Sequence, residues 1–109
     1  MDRDEKYGYT SPKHIRRILT MYYRLSEAAS TGREMTALAI VIDIDRAIQH
    51  IKRYGSDRQR KQLNVVIDRI VKGESKAVVM QRYNIGRMTC WRYEWAACRT
   101  ISTYLTDND

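Results

Sequence analysis

Apolar residues recur at intervals of three and four residues along most of the chain, the spacing that places them on one face of a helix. A first stripe follows Ser11-Pro12, a favoured N-cap and first-turn pair, and Gly32 is the predicted end of this helix. A second stripe covers 34–54. Its β-branched segment 38–44 would also suit a buried strand, but the helical period continues to the end of the stripe, which favours a helix.

Three further helices are predicted in the C-terminal half. One spans 56–73, opened by a serine-aspartate N-cap pair and closed by a glycine. A short helix over 74–83, a break at 84–86 and a last helix over 87–105 follow. Two helices joined by a short turn are the pattern of a helix-turn-helix. The prediction is an all-α fold, a single small helical domain over 1–109 with four to five helices and a C-terminal helix-turn-helix.

The positive charge of the chain is concentrated in one stretch. The chain has 109 residues, which suits one domain, and a formal net charge of +7. Segment 52–99 holds 12 basic and 4 acidic residues, which gives +8, whereas the other 8 basic and 9 acidic residues give −1. Segregated positive charge favours a polyanionic partner, and the pattern in the same stretch predicts that this partner is double-stranded DNA.

Different residues of a helix-turn-helix contact the bases and the phosphates of DNA. The second helix presents its N-terminal residues to base edges in the major groove, and other residues contact phosphates. Arginine can pair with guanine through two hydrogen bonds, and threonine suits a phosphate or a thymine methyl group. The candidate base-contacting residues are Arg87, Thr89 and Arg92. The candidate phosphate-contacting residues are Lys76, Gln81, Arg82 and Arg99.

Several side chains in this region have packing roles in the same interpretation. Ala77 is expected to be buried against the second helix, and Ile85 to fill the turn. Trp91 and Trp95 lie one helical turn apart. Trp91 is a candidate for stacking on nucleic acid or insertion into it, although core packing of this tryptophan edge is favoured because neighbouring apolar residues also point inward.

Four segments resemble known regulators. Segment 56–63 (SDRQRKQL) resembles the helix opening of sigma factor region 4, and 77–89 (AVVMQRYNIGRMT) resembles the helix-turn-helix that follows it. Segment 89–93 (TCWRY) is similar to the Thr-Tyr-Tyr-Arg run that opens the recognition helix of ArpU/RinA-like phage late-transcription regulators. Segment 42–48 (IDIDRAI) resembles their upstream helix. The resemblance covers roughly 41–105.

The resemblance implies sequence-specific binding at a phage or prophage promoter, control of late genes, and RNA polymerase as a further partner. It implies a DNA-facing role for Arg87, Met88, Thr89 and Arg92. It implies packing roles for Ala77, Ile85, Ala97 and Ile101. The sequence departs from the pattern at two positions: Asn84 stands where many such turns have glycine, and Glu94 occupies a position that is usually apolar. Asparagine tolerates the left-handed conformation, so the turn can form.

The sequence offers no arrangement suited to catalysis or metal binding. His14 and His50 have no cysteine or carboxylate at ligand spacing, and Asp43 and Asp45 point in different directions on one helix. There is no glycine-rich phosphate loop and no nucleophile elbow. The protein is therefore predicted to be a non-enzyme without cofactor or metal.

The cysteines and the hydropathy indicate the cellular compartment in which the protein is expected. Cys90 and Cys98 are eight residues apart on one predicted helix. That is about 12 Å, too far for a disulfide, and reduced thiols suit the cytoplasm. No basic-then-apolar leader opens the chain, and the longest apolar run, 37–42, is shorter than the about 20 residues of a membrane span. A cytoplasmic protein that does not bind membranes is expected.

Two alternative functions remain open at this point. A phage small terminase subunit also combines a helix-turn-helix with an assembly region, but it is expected to carry a long C-terminal oligomerisation segment, which is not seen here. A helical adaptor could instead bind RNA polymerase without touching DNA. The helices in 11–55 either close the core or form a homodimer interface, and 56–105 is the part that resembles sigma region 4.

Overall fold

The fold consists entirely of helices in the part of the chain that the structure describes. The computed structural model describes residues 7–32 and 34–107, and in these ranges there are six α-helices, one π-helical segment and no strand. The all-α prediction is confirmed. The helices are α1 (Pro12–Thr20), α2 (Tyr22–Ser30), α3 (Met35–Tyr54), α4 (Asp57–Val66), continued by a π-helical segment (Ile67–Val71), α5 (Lys76–Tyr83) and α6 (Arg87–Asp107). Residues 1–6, 33 and 108–109 of the predicted domain lie outside the described residues.

The first predicted helix is in fact two helices. Ser11 caps α1 as expected, because its side-chain oxygen accepts a hydrogen bond from the backbone N–H of His14 at 3.3 Å. The helix breaks at Met21, whose φ of −97° and ψ of 7° are not helical. The break redirects the chain, so that α1 packs against α6 whereas α2 packs along α3. A single apolar stripe does not reveal this change of direction, and the prediction of one continuous helix was wrong.

The other helix boundaries follow the expected residues closely. Segment 38–44 lies inside α3, so the strand alternative is excluded. Ser56 and Gln59 form a capping box at the start of α4, with hydrogen bonds of 3.1 and 2.9 Å between side chain and backbone in the two directions. The turn after the π-helical segment contains Gly73 with φ of +69°, a conformation that favours glycine.

One main core lies where α1, α3, α4 and α6 meet. It consists of Tyr9, Ile15, Ile18, Leu19, Ile44, Ala47, Ile51, Leu63, Val66, Ala97, Cys98, Ile101 and Leu105. The packing roles expected for Ala97 and Ile101 are therefore confirmed. Residues from both halves of the chain form this core, so α1 and α3 pack against the same interior as α6.

Two buried polar contacts attach the segment before α1 to this core. The Tyr9 hydroxyl donates to a carboxylate oxygen of Asp43 on α3 at 2.8 Å, and the Ser102 hydroxyl on α6 donates to the Tyr9 carbonyl. Burying these groups is tolerated because each finds a partner. Among the described helices, none is long and apolar enough to cross a membrane.

Candidate nucleic-acid interface

The last two helices are joined by a tight, hydrogen-bonded turn. Helix α5 ends at Asn84, which adopts the left-handed conformation with φ of 51° and ψ of 53°. The Ile85 N–H then donates to the Met80 carbonyl at 3.0 Å, and the Cys90 N–H donates to the Gly86 carbonyl at 2.9 Å as α6 begins. The expectation that asparagine would serve in place of glycine is confirmed. Three residues, 84–86, separate the two helices.

A small apolar cluster holds this turn against the body of the protein. We call Val65, Val79 and Cys90 the corner cluster; all three are completely shielded from solvent. Half-buried side chains packed against it include Ile85, which confirms the packing role expected for that residue. The burial expected for Ala77 was wrong, because Ala77 is exposed and Val79 is the buried residue of α5. Since α5 begins only at Lys76, Ala77 lies in its first turn, outside the packed contact.

A buried carboxylate forms the second anchor of α5. Asp68, in the π-helical segment, accepts a hydrogen bond from the Tyr83 hydroxyl at 2.5 Å and one from the Arg82 guanidinium at 2.8 Å. Arg82 also pairs with Glu74, and the Lys72 ammonium lies 3.5 Å from Asp68. We call these five residues the Asp68 network.

The Asp68 network shifts the ionisation of its members. Burial opposes the charged form of Asp68, but the hydrogen bonds from Tyr83 and Arg82 and the charges of Lys72 and Arg82 outweigh it, so the pKa of Asp68 lies below its ordinary value. Burial and the hydrogen bond to Asp68 raise the pKa of Tyr83 to about 12. The carboxylate therefore stays ionised and the phenol neutral near neutral pH.

The residues expected to contact bases lie together at the start of α6. Arg87, Met88 and Arg92 are exposed, and Thr89 is half-buried. Trp91 is 51% exposed, so the packing favoured for it was wrong. The neighbouring Trp95 is half-buried, and the guanidinium of Arg16 lies 5.6 Å from the centroid of its ring.

Three of the exposed candidate residues of α6 share one side of the helix, whereas Arg87, its first residue, lies about 100° from Met88 around the axis. At about 100° per residue, Met88, Arg92 and Arg99 fall within about 40° of one another around the helix axis. The buried stripe of Cys90, Glu94, Ala97 and Ile101 lies on the opposite side. Arg87 and Arg99 are 12 residues apart, which is about 18 Å along the helix. The surface of α6 from 87 to 106 thus carries three exposed arginines, and its one carboxylate, at position 94, is buried.

The residues expected to contact phosphates are not equivalent. Gln81 and Arg99 are exposed, and Lys76 is half-buried. Lys76 also lines an open groove of about 420 Å³ with Arg87, Met88 and Trp91. Arg82 is exposed in part, but its guanidinium is bound to the two carboxylates of the Asp68 network.

The buried Glu94 has a partner that the sequence did not indicate. It is 2% exposed, and its Oε1 lies 3.5 Å from a guanidinium nitrogen of Arg16 on α1. The Cys90 thiol is 3.9 Å from its other oxygen. Position 94 therefore faces the interior although its residue is charged. Arg16 is 78 residues away in sequence, and no local pattern links the two.

Both thiols are held in the protonated form. Burial raises the pKa of Cys98 to about 11, and burial followed by the charge of Glu94 raises that of Cys90. Neither is disulfide-bonded. Across residues 7–32 and 34–107, no three histidine, cysteine or acidic side chains converge in a way that could hold a metal ion.

No protein-family model matches this chain, and no match is found among the curated proteins or the solved structures compared with it.

Proposed function

We propose that α5, the turn at 84–86 and α6 form a helix-turn-helix that binds double-stranded DNA, and that the protein regulates transcription. The observation that carries this proposal is the exposed start of α6, where Arg87, Met88 and Arg92 project from the helix that follows the turn. In a helix-turn-helix this is the part that enters the major groove. The two arginines can each pair with the edge of a guanine.

The charge of this surface supports the same proposal. Between 87 and 106 the only carboxylate of α6 is buried, so the exposed carboxylate of this helix, Asp107, lies at its far end, about 30 Å from Arg87. Lys76, Gln81 and Arg99 are the phosphate contacts in this proposal. Arg82 has a different role, since two carboxylates already hold its guanidinium and it attaches α5 to the π-helical segment.

The biological role within this proposal comes from the sequence. The resemblance of 56–63, 77–89 and 89–93 to sigma region 4 and to ArpU/RinA-like regulators favours a phage or prophage promoter as the target. It also favours control of late genes, with RNA polymerase as a second partner. The protein acts without catalysis or a cofactor in this proposal. A small terminase subunit or a helical adaptor of RNA polymerase is the alternative.

Selection of binding sites from random duplex DNA at fixed salt tests the proposal. We expect one defined site to be enriched, and Arg87→Ala and Arg92→Ala each to weaken binding to it by about 1–3 kcal/mol. Lys76→Ala should weaken binding to all sequences. It should also lower the number of ions released on binding, which is measured from the salt dependence of the affinity, by about one. The matched control is Arg24→Ala, because Arg24 is exposed on α2 and its removal changes the net charge equally.

The control decides between specific contact and general attraction. If Arg24→Ala weakens binding as much as Arg87→Ala and Arg92→Ala do, positive charge alone explains the binding and the base contacts are refuted. If the unmodified protein binds no DNA at low salt, the adaptor function takes the place of the DNA-binding one.

A further inference from the structure

Two large apolar side chains are exposed at the very place proposed to read bases. Met88 is 61% exposed and Trp91 is 51% exposed. They are three residues apart on α6, so they lie on adjoining turns and can contact one object together. Both line the open groove of about 420 Å³ between α5 and α6. Exposed apolar surface gathered in one groove marks a place where something apolar binds.

The charged residues of the same groove indicate which kind of ligand would bring an apolar group to it. Lys76 and Arg87 complete its lining, so two positive charges adjoin the two apolar side chains. A ligand that satisfies both must present an apolar group next to negative charge. Duplex DNA does so where a thymine lies in the major groove, because its 5-methyl group is the apolar feature of the base edges and phosphates lie on either side.

We propose that Met88 and Trp91 form a subsite for the 5-methyl groups of thymine, which makes thymine a required base in the target site; this rests on the proposed function. Facing any other base, the two side chains would cover a polar edge without supplying a hydrogen bond, which is unfavourable. The unbranched thioether of Met88 can adapt to the methyl group, and the indole of Trp91 forms a flat wall beside it. Arg87 lies next to Met88, so the thymine should neighbour a guanine.

Replacement of thymine by deoxyuridine removes the methyl group and leaves every hydrogen-bonding group in place. In the site obtained by selection, each thymine is replaced in turn and the dissociation constant is measured at fixed salt. We expect a loss of roughly fourfold at one or two positions, which is the factor for burying one methyl group. In the Met88→Ala and Trp91→Ala variants, replacing the same thymines by deoxyuridine should change the affinity less than twofold. Far-ultraviolet circular dichroism checks that both variants are folded.

Met35→Ala is the matched control for Met88→Ala, because it removes the same atoms from a methionine that is 71% exposed at the start of α3. It should keep the full dependence on the thymine methyl groups. If a defined site binds but no thymine shows the loss, or if Met88→Ala and Trp91→Ala keep it, the subsite is refuted and DNA binding stands. If the unmodified protein binds no DNA, the proposed function and this subsite are both refuted.

Discussion

The main core and the corner cluster hold the protein together by different means. The main core joins four α-helices through thirteen buried residues, nearly all of them apolar. The corner cluster has only Val65, Val79 and Cys90 at its centre, and the Asp68 network next to it supplies ion pairs and hydrogen bonds. The body is therefore stabilised mainly by apolar burial, which is insensitive to pH, with a few polar contacts such as Tyr9–Asp43 and Arg16–Glu94, whereas the corner has few apolar contacts and depends more on charge.

This difference matters for the proposed function, because the corner positions the surface proposed to bind DNA. Helix α5 has eight residues and one fully buried side chain, too few for it to be stable by itself. Its orientation relative to α6 must come from the corner cluster and from Asp68. A change in either should alter the presentation of Arg87 and Met88 before it unfolds the body.

The largest effect is expected from the main core. Ile44→Ala removes three carbon atoms from a completely buried site on α3 and should lower the free energy of unfolding by about 2–5 kcal/mol. Chemical denaturation followed by circular dichroism measures this loss. Because α3 contacts several other helices, all helical signal should disappear in one transition at lower denaturant concentration.

A matched pair of valines distinguishes the two regions directly. Val66 belongs to the main core and Val79 to the corner cluster, both are completely buried, and alanine removes the same atoms from each. Amide hydrogen exchange should quicken throughout the protein in Val66→Ala, but only in α5 and the first turns of α6 in Val79→Ala. Equal acceleration in α1 and α3 by both variants would show that the corner is not a separate unit.

A smaller effect is expected from the buried carboxylate of the Asp68 network. Asp68→Asn removes its negative charge and leaves donors of Arg82 and Tyr83 without their ionised acceptor. The free energy of unfolding should fall by about 1–3 kcal/mol at pH 7, and DNA affinity should fall because α5 is no longer held in place. Asp57→Asn is the control, since the Asp57 side chain is fully exposed and its pairing is confined to the start of α4.

The pH dependence of stability follows from the direction of the shift at Asp68. Its pKa in the folded protein lies below the ordinary 3.8, so its contribution is present above about pH 4 and is lost as the pH falls through the folded value. The unmodified protein should lose stability in acid over that range, and Asp68→Asn should lose less. Equal acid sensitivity of the two proteins would contradict the role assigned to Asp68.

Features that depend on neighbours in sequence could be predicted, and those that depend on distant residues could not. The caps at Ser11 and Ser56 and the left-handed residue at Asn84 follow from local rules. The break at Met21 does not, because neither proline nor glycine marks it and the different partners of α1 and α2 become visible only in the folded structure.

The candidate site shows the same division. That arginines follow the predicted turn at 87 and 92 could be seen in the sequence. The pairing of Arg16 with Glu94 was not, because 78 residues separate them. Nor could the sequence show that Arg82 is bound by carboxylates while Arg87 is exposed, since both are arginines on helices of the same region.

The smallest effect is expected at the turn between α5 and α6. It tests whether the conformation of this turn helps to orient α6 or only connects the two helices. Asn84 has φ of 51°, where a residue with a β-carbon is strained unless its side chain hydrogen-bonds locally, as asparagine can. Asn84→Ala should therefore lower the free energy of unfolding by about 1 kcal/mol, whereas Asn84→Gly should leave it nearly unchanged, because glycine adopts this conformation freely. Thermal unfolding and the DNA affinity of both variants measure the effect. If the conformation of the turn sets the angle of α6, alanine should weaken DNA binding and glycine should preserve it. Equal DNA affinity in the two variants would mean that the corner cluster and Asp68 position α6 without help from the turn.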